Sequence, residues 1–62
     1  MSEYYEYALV RYPSTGNYSE GLFYSQSEAM AWANEQIEVL DAELIEVGEW
    51  IDGVRYRNRE VK

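Results

Sequence analysis

Two kinds of hydrophobic spacing alternate along this chain, and a turn marks each change between them. Tyr4 to Tyr12 (YYEYALVRY) is rich in β-formers and free of Gly and Pro, which predicts a strand. Tyr5, Tyr7, Leu9 and Arg11 alternate with Tyr4, Glu6, Ala8, Val10 and Tyr12, and neither set is clearly the apolar one. Pro13 to Asn17 (PSTGN) reads as a turn, because Pro pre-sets φ and Gly and Asn tolerate positive φ. Tyr18 to Tyr24 (YSEGLFY) is then the returning strand of a hairpin, weakened or bulged at Gly21.

From Ser25 the period becomes helical. Ser25 and Glu28 form an S-x-x-E capping box. Ala29, Met30, Ala33, Ile37 and Leu40 share one helical face, and Glu28, Glu35 and Glu38 lie on the opposite one. Trp32 falls between the two faces, one turn from both Glu28 and Glu35.

The stretch after Leu40 fits two patterns. As a helix, the stripe runs on through Leu44 and Val47 to Gly48 as the residue after the cap. As a strand, Glu43 to Ile51 alternates nearly as well. Asp52-Gly53 decides for the strand, since a two-residue D-G between alternating residues is the strongest short-range hairpin signal. The expected elements are a helix over 26–40, a bend at Asp41-Ala42, and strands over 43–51 and 54–59. The hairpin should set Ile51 against Val54, Trp50 against Arg55, Glu49 against Tyr56, Val47 against Asn58 and Glu46 against Arg59. Ile45, Val47, Ile51, Val54 and Tyr56 then share a core face, with Glu49 and Asn58 making its rim wet. Trp50–Arg55 and Glu46–Arg59 are favourable pairs on the other face.

The order β-β-α-β-β defines an α+β, two-layer domain: an antiparallel four-stranded sheet with one helix packed on one face. The whole chain, 1–62, is one small acidic domain. A chain of this size buries only about 60% of its unfolded surface, so its core must be good or it must associate. Ten aromatics, seven of them Tyr, could furnish that core or an interface, and the exposed sheet face is a natural place for a homodimer.

Composition removes several functions. With neither Cys nor His there is no disulfide, no thiolate metal site and no histidine base. The acids do not have EF-hand spacing, no Gly-rich loop cradles a phosphate, and a catalytic carboxylate pair would need a cleft that one helix on one sheet does not offer. No catalytic residue, cofactor or metal ligand is therefore expected, and the protein is read as a non-enzyme. The absence of Cys, of a signal peptide and of a long apolar run points to a cytoplasmic protein outside the membrane.

The net charge of −7 excludes direct binding to nucleic acid through phosphates and to anionic membranes. Its distribution carries more. Nine acids and no base lie between Tyr12 and Val54, and four of the five bases follow Val54. An acidic surface of this kind could serve solubility alone. It could also imitate a row of phosphates and occupy the basic site of a larger, nucleic-acid-handling protein. The residues expected to meet such a partner are Glu28, Trp32, Glu35, Glu38, Asp41, Glu43 and Trp50. Small size, acidity and this plan are traits shared with many inhibitors encoded by phages and mobile elements, an analogy of type that assigns no residues. The competing reading is a homodimeric structural or assembly module.

Overall fold

A computed structural model describes residues 3–60, with side chains as far as Arg57. Its elements are β1 (Tyr4–Tyr12), β2 (Asn17–Phe23), α1 (Gln26–Leu40), β3 (Glu43–Ile51) and β4 (Val54–Glu60). All strand pairs are antiparallel, in the order β2-β1-β3-β4, and α1 packs on one side of the sheet. The expected α+β, two-layer architecture is the one observed.

Helix α1 spans the expected residues because both of its ends are built locally. Ser25 is extended, and its hydroxyl accepts from Glu28 N at 3.2 Å. The Glu28 carboxylate reaches back to Tyr24 N at 3.3 Å, one residue earlier than the standard box. At the other end Asp41 takes φ 59° and ψ 33°, a left-handed cap that Asp tolerates better than most residues. Asp41 N and Ala42 N donate to the carbonyls of Ile37 and Gln36 at 3.1 and 3.3 Å. The left-handed residue turns the chain out of the helix, and β3 begins two residues later.

The core on the helix side is made of small residues. Ala8, Val10, Ala29, Ala33, Ala42 and Val47 are buried, ringed by Tyr12, Phe23, Met30, Trp32 and Leu44. Alanines from both layers let α1 lie close to β1. The ambiguity over β1 resolves because both of its faces are covered: Ala8 and Val10 meet the helix, while Tyr7 is fully buried on the other side.

Several expectations are corrected. The second strand starts and ends one residue earlier, at Asn17 and Phe23. Gly21 causes no bulge, since pairing with β1 runs unbroken from Phe23 to Asn17. The missing side chain instead makes room for rings: a Cβ there would lie 2.6 Å from Phe23 and 3.0 Å from Trp32. Trp32 is thus at the rim of the core, with its ring centroid 5.9 Å from that of Phe23. Ile37 and Leu40, expected in the apolar stripe, are exposed, and the buried part of the stripe is Ala29 and Ala33 with Met30 beside them.

Two register shifts change the faces of β3 and β4. One, between Leu9 and Val10, sets Leu44 opposite Val10 and leaves Ile45 as the additional residue, so Leu44 rather than Ile45 joins the core. The other, between Val47 and Gly48, leaves Ile51–Val54, Trp50–Arg55 and Glu49–Tyr56 as expected but sets Val47 against Arg59 and Glu46 against Glu60. The expected backbone pairings of Val47 with Asn58 and Glu46 with Arg59 are therefore replaced, and the side chains of Asn58 and Arg59 lie outside the described residues. Val54 and Tyr56 stand on the helix side yet are exposed, because α1 does not reach β4.

Candidate functional site

At about 100° per residue, Glu28, Trp32, Glu35 and Val39 form one stripe along the β2-side flank of α1. Glu38 stands on its outermost face, and Asp41 follows at the cap. Glu28, Glu35, Glu38 and Asp41 are all exposed. Glu28 to Glu38 covers about 15 Å of helix axis, so these carboxylates form an open row. The three arginines with described side chains are elsewhere. Arg11, Arg55 and Arg57 pair in register with Glu43, Trp50 and Gly48, on the sheet face turned away from α1.

The structure therefore joins Glu28, Trp32, Glu35, Glu38 and Asp41 on one layer and separates the other two expected residues from them. Glu43 is exposed but lies 3.7 Å from Arg11. Trp50 is half-buried on the far side of the sheet, beneath Arg55.

That far side holds a cluster which sequence reasoning missed. Tyr7 lies over Gly48, its cross-strand neighbour, with its ring centroid 6.2 Å from that of Trp50. The Arg55 guanidinium sits 4.9 Å from the Tyr7 ring centroid and 5.0 Å from that of Trp50. Arg55 also pairs with Glu20 on β2 and, at 3.6 Å, with Glu46. It thereby ties the two edge strands together across the sheet. Tyr7 Oη donates to Glu46 at 2.5 Å. Burial, then that hydrogen bond, pushes the Tyr7 phenol up to about 12. The Trp50 indole N–H is buried without a hydrogen-bond partner among the described residues. Beside it, Glu3, Tyr5, Leu22, Trp50 and Gly53 line an open hollow of about 150 Å³, the size of one side chain. The Trp50–Arg55 pairing was the one part of this cluster legible in the sequence.

On the helix side, Glu6 and Glu49 face each other across β1 and β3, and both receive the Tyr4 hydroxyl, Glu49 at 2.6 Å. One hydroxyl proton serves two carboxylates, and the bond to Glu49, followed by that to Glu6, raises the Tyr4 phenol well above its ordinary value. Among the described residues no group of three acidic side chains could hold a metal ion. Among the described residues no helix is long and apolar enough to cross a membrane. Searches against family models, curated proteins and solved structures found no match to the chain.

Proposed function

We propose that this is a non-enzymatic acidic binding protein that occupies the basic, nucleic-acid-handling site of a larger protein and blocks it by imitating a row of phosphates. The observation that carries this reading is the segregation of charge: Glu28, Glu35, Glu38 and Asp41 are exposed on the helix layer, and the three arginines with described side chains, Arg11, Arg55 and Arg57, stand on the opposite face. A carboxylate near a helix C-terminus opposes the helix dipole at a cost of about 0.3–1 kcal/mol, yet Glu38 and Asp41 are both there and the last turn has no base. Stability alone does not favour that placement. A basic partner surface would compensate it. Trp32, between Glu28 and Glu35, supplies the apolar contact at the centre of the row.

The test is affinity capture from a lysate of nucleic-acid-binding proteins at low and high salt, with a Glu35→Lys/Glu38→Lys variant beside the wild type. The reading expects a captured protein that is released by salt, competes with DNA or RNA, and binds the folded variant at least tenfold more weakly. Capture that ignores both salt and charge reversal would overturn it.

A second reading, a small homodimeric assembly module, is favoured by β2. This edge strand and the residue after it expose Tyr18, Leu22 and Tyr24 on the side away from α1. Sedimentation at micromolar concentration tests it: a stable dimer insensitive to Glu35→Lys/Glu38→Lys favours this reading over the first.

A further inference from the structure

β2 and β4 are the two edges of the sheet. Natural edge strands are guarded against further pairing by charge, proline or bulges. β4 is guarded by charge, since its sequence VRYRNRE sets arginine at every second position. β2 is not. It has no Lys, Arg or Pro, its pairing with β1 is unbroken, and its single charge, Glu20, is taken by Arg55. The direction of its free backbone groups follows from β1. The Glu3 carbonyl accepts from Asp52 N at 2.8 Å, on the β3 side. By alternation Tyr5, Tyr7 and Leu9 also bond toward β3, while Glu6 and Ala8 bond toward their β2 partners, Phe23 and Gly21. In the same register Tyr18, Glu20 and Leu22 turn their N–H and C=O groups to the open edge.

α1 runs back along this strand. Trp32 lies against Phe23 and beside Gly21, and the Gln36 side chain accepts from the Tyr12 hydroxyl at 2.7 Å, next to the Tyr12–Asn17 pair. Glu28 is therefore near the Phe23 end of β2, where it reaches Tyr24 N, and Glu35 is near the Asn17 end. These two exposed carboxylates stand on the helix side of the open edge, with Trp32 between them. On the other side Tyr18, Leu22 and Tyr24 are exposed.

We infer that β2 takes up an extended segment of the larger partner as a fifth, antiparallel strand, with Lys or Arg on the helix side and apolar residues on the other. The outward backbone groups of Tyr18, Glu20 and Leu22 supply the hydrogen bonds, and the side chains on the two sides select the alternation. Lysines four residues apart on a strand are separated by about 13 Å, against about 10 Å between Glu28 and Glu35 along the helix axis, a difference that long side chains absorb. A second copy paired through β2 does not fit. Antiparallel pairing puts both helices on the same side of the joint sheet and brings Glu28 and Glu35 of one copy against those of the other. The inference rests on the basic partner proposed above and names the part of it that is held.

The probe is a synthetic heptapeptide alternating Val and Lys, the length of β2, followed through the backbone amide resonances and hydrogen exchange of the whole protein. Its binding should slow exchange of the Tyr18, Glu20 and Leu22 amides about tenfold or more and leave Ser19 and Gly21, already bonded to β1, unchanged. In an antiparallel fifth strand the residues opposite Tyr18, Glu20 and Leu22 are the valines, and their N–H groups point into the sheet. The same peptide N-methylated on its valines should therefore not bind, whereas N-methylation on its lysines should be tolerated. Glu28→Gln/Glu35→Gln should weaken binding about fivefold, the size expected of two exposed ion pairs. The inference fails if the peptide binds without protecting these three amides, if it does not bind, if the valine-methylated peptide binds normally, if the double variant binds as wild type, or if the three amides are already protected in the free protein. Capture of a nucleic-acid-handling protein with no protection of β2 by the peptide overturns the inference and leaves the blocking function standing. Protection of β2 by the peptide with no such protein captured supports the strand site and overturns the blocking function.

Discussion

Gly48→Ala puts a methyl group where three atoms already stand. An ideal Cβ at Gly48 would lie 2.4 Å from the Tyr56 carbonyl oxygen, 2.8 Å from Tyr7 Cε1 and 2.9 Å from Tyr7 Oη. The first distance is 1.0 Å short of the 3.4 Å at which ordinary contact begins, and the obstructing atom is backbone. Rotating a side chain cannot relieve it, so β4 has to move off β3 and Tyr7 has to leave its seat beneath Arg55. Overpacking typically costs about 1–3 kcal/mol, and a backbone clash belongs at the upper end. Losing glycine's freedom in the unfolded chain returns about 0.4–1 kcal/mol. The net cost is about 2 kcal/mol, equivalent to about 8–16 °C in the melting temperature of so small a domain. Gly21→Ala is the control, because its nearest neighbours are the ring atoms of Phe23 and Trp32, at 2.6 and 3.0 Å, which can tilt away. Thermal unfolding followed by far-UV circular dichroism should rank Gly48→Ala well below Gly21→Ala. A Gly48→Ala melting temperature within about 2 °C of wild type, or a larger loss at Gly21, would refute the close packing of Tyr7 on Gly48.

Two further predictions concern protons and the helix cap. The Tyr7 phenol is raised to about 12 in the fold, against 10.0 for an ordinary phenol, so its stabilisation is complete below pH 10 and disappears as pH climbs from 10 to 12. A shift of two units is worth at most about 2.7 kcal/mol. Urea titrations across this window should show a smaller alkaline loss for Tyr7→Phe than for wild type, and equal slopes would contradict the assignment. Asp41→Gly relieves a left-handed residue and removes an anion from the negative end of α1, offset in part by the entropy of glycine. It should raise the melting temperature by a few degrees while weakening partner capture, and a lower melting temperature would show that the Asp41 carboxylate has a stabilising role.

Local signals carried most of this architecture in the sequence. Ser25, Glu28 and the Asp52-Gly53 turn each act within a few residues, so the bounds of α1 and the start of β3 were readable before any packing was known. The register shifts at Leu9/Val10 and Val47/Gly48 were not, because a bulge is settled by what packs against the strand from elsewhere in the chain. A stripe also states which side of a helix could be buried but not how much of it is, and Ile37 and Leu40 fell to that gap. In the candidate site, helical spacing alone grouped Glu28, Trp32, Glu35 and Glu38 on α1. The Tyr7–Trp50–Arg55 cluster needed Arg55 to cross from β4 to Glu20 on β2, a contact between residues 35 positions apart.

The central place of β1 has a consequence during synthesis. β1 is made first, yet one of its edges pairs with β2 and the other with β3. The β1–β2 hairpin can close as soon as Phe23 has been made. The other edge of β1, with its row of unpaired N–H and C=O groups, must wait for Ile51, 28 residues later. At about 5–20 residues per second the ribosome leaves that edge open for about 1.4–6 seconds. An open, tyrosine-rich edge is a site for wrong pairing between nascent chains. Slowing translation across α1 should therefore increase aggregation, even though the finished fold pairs both edges of β1.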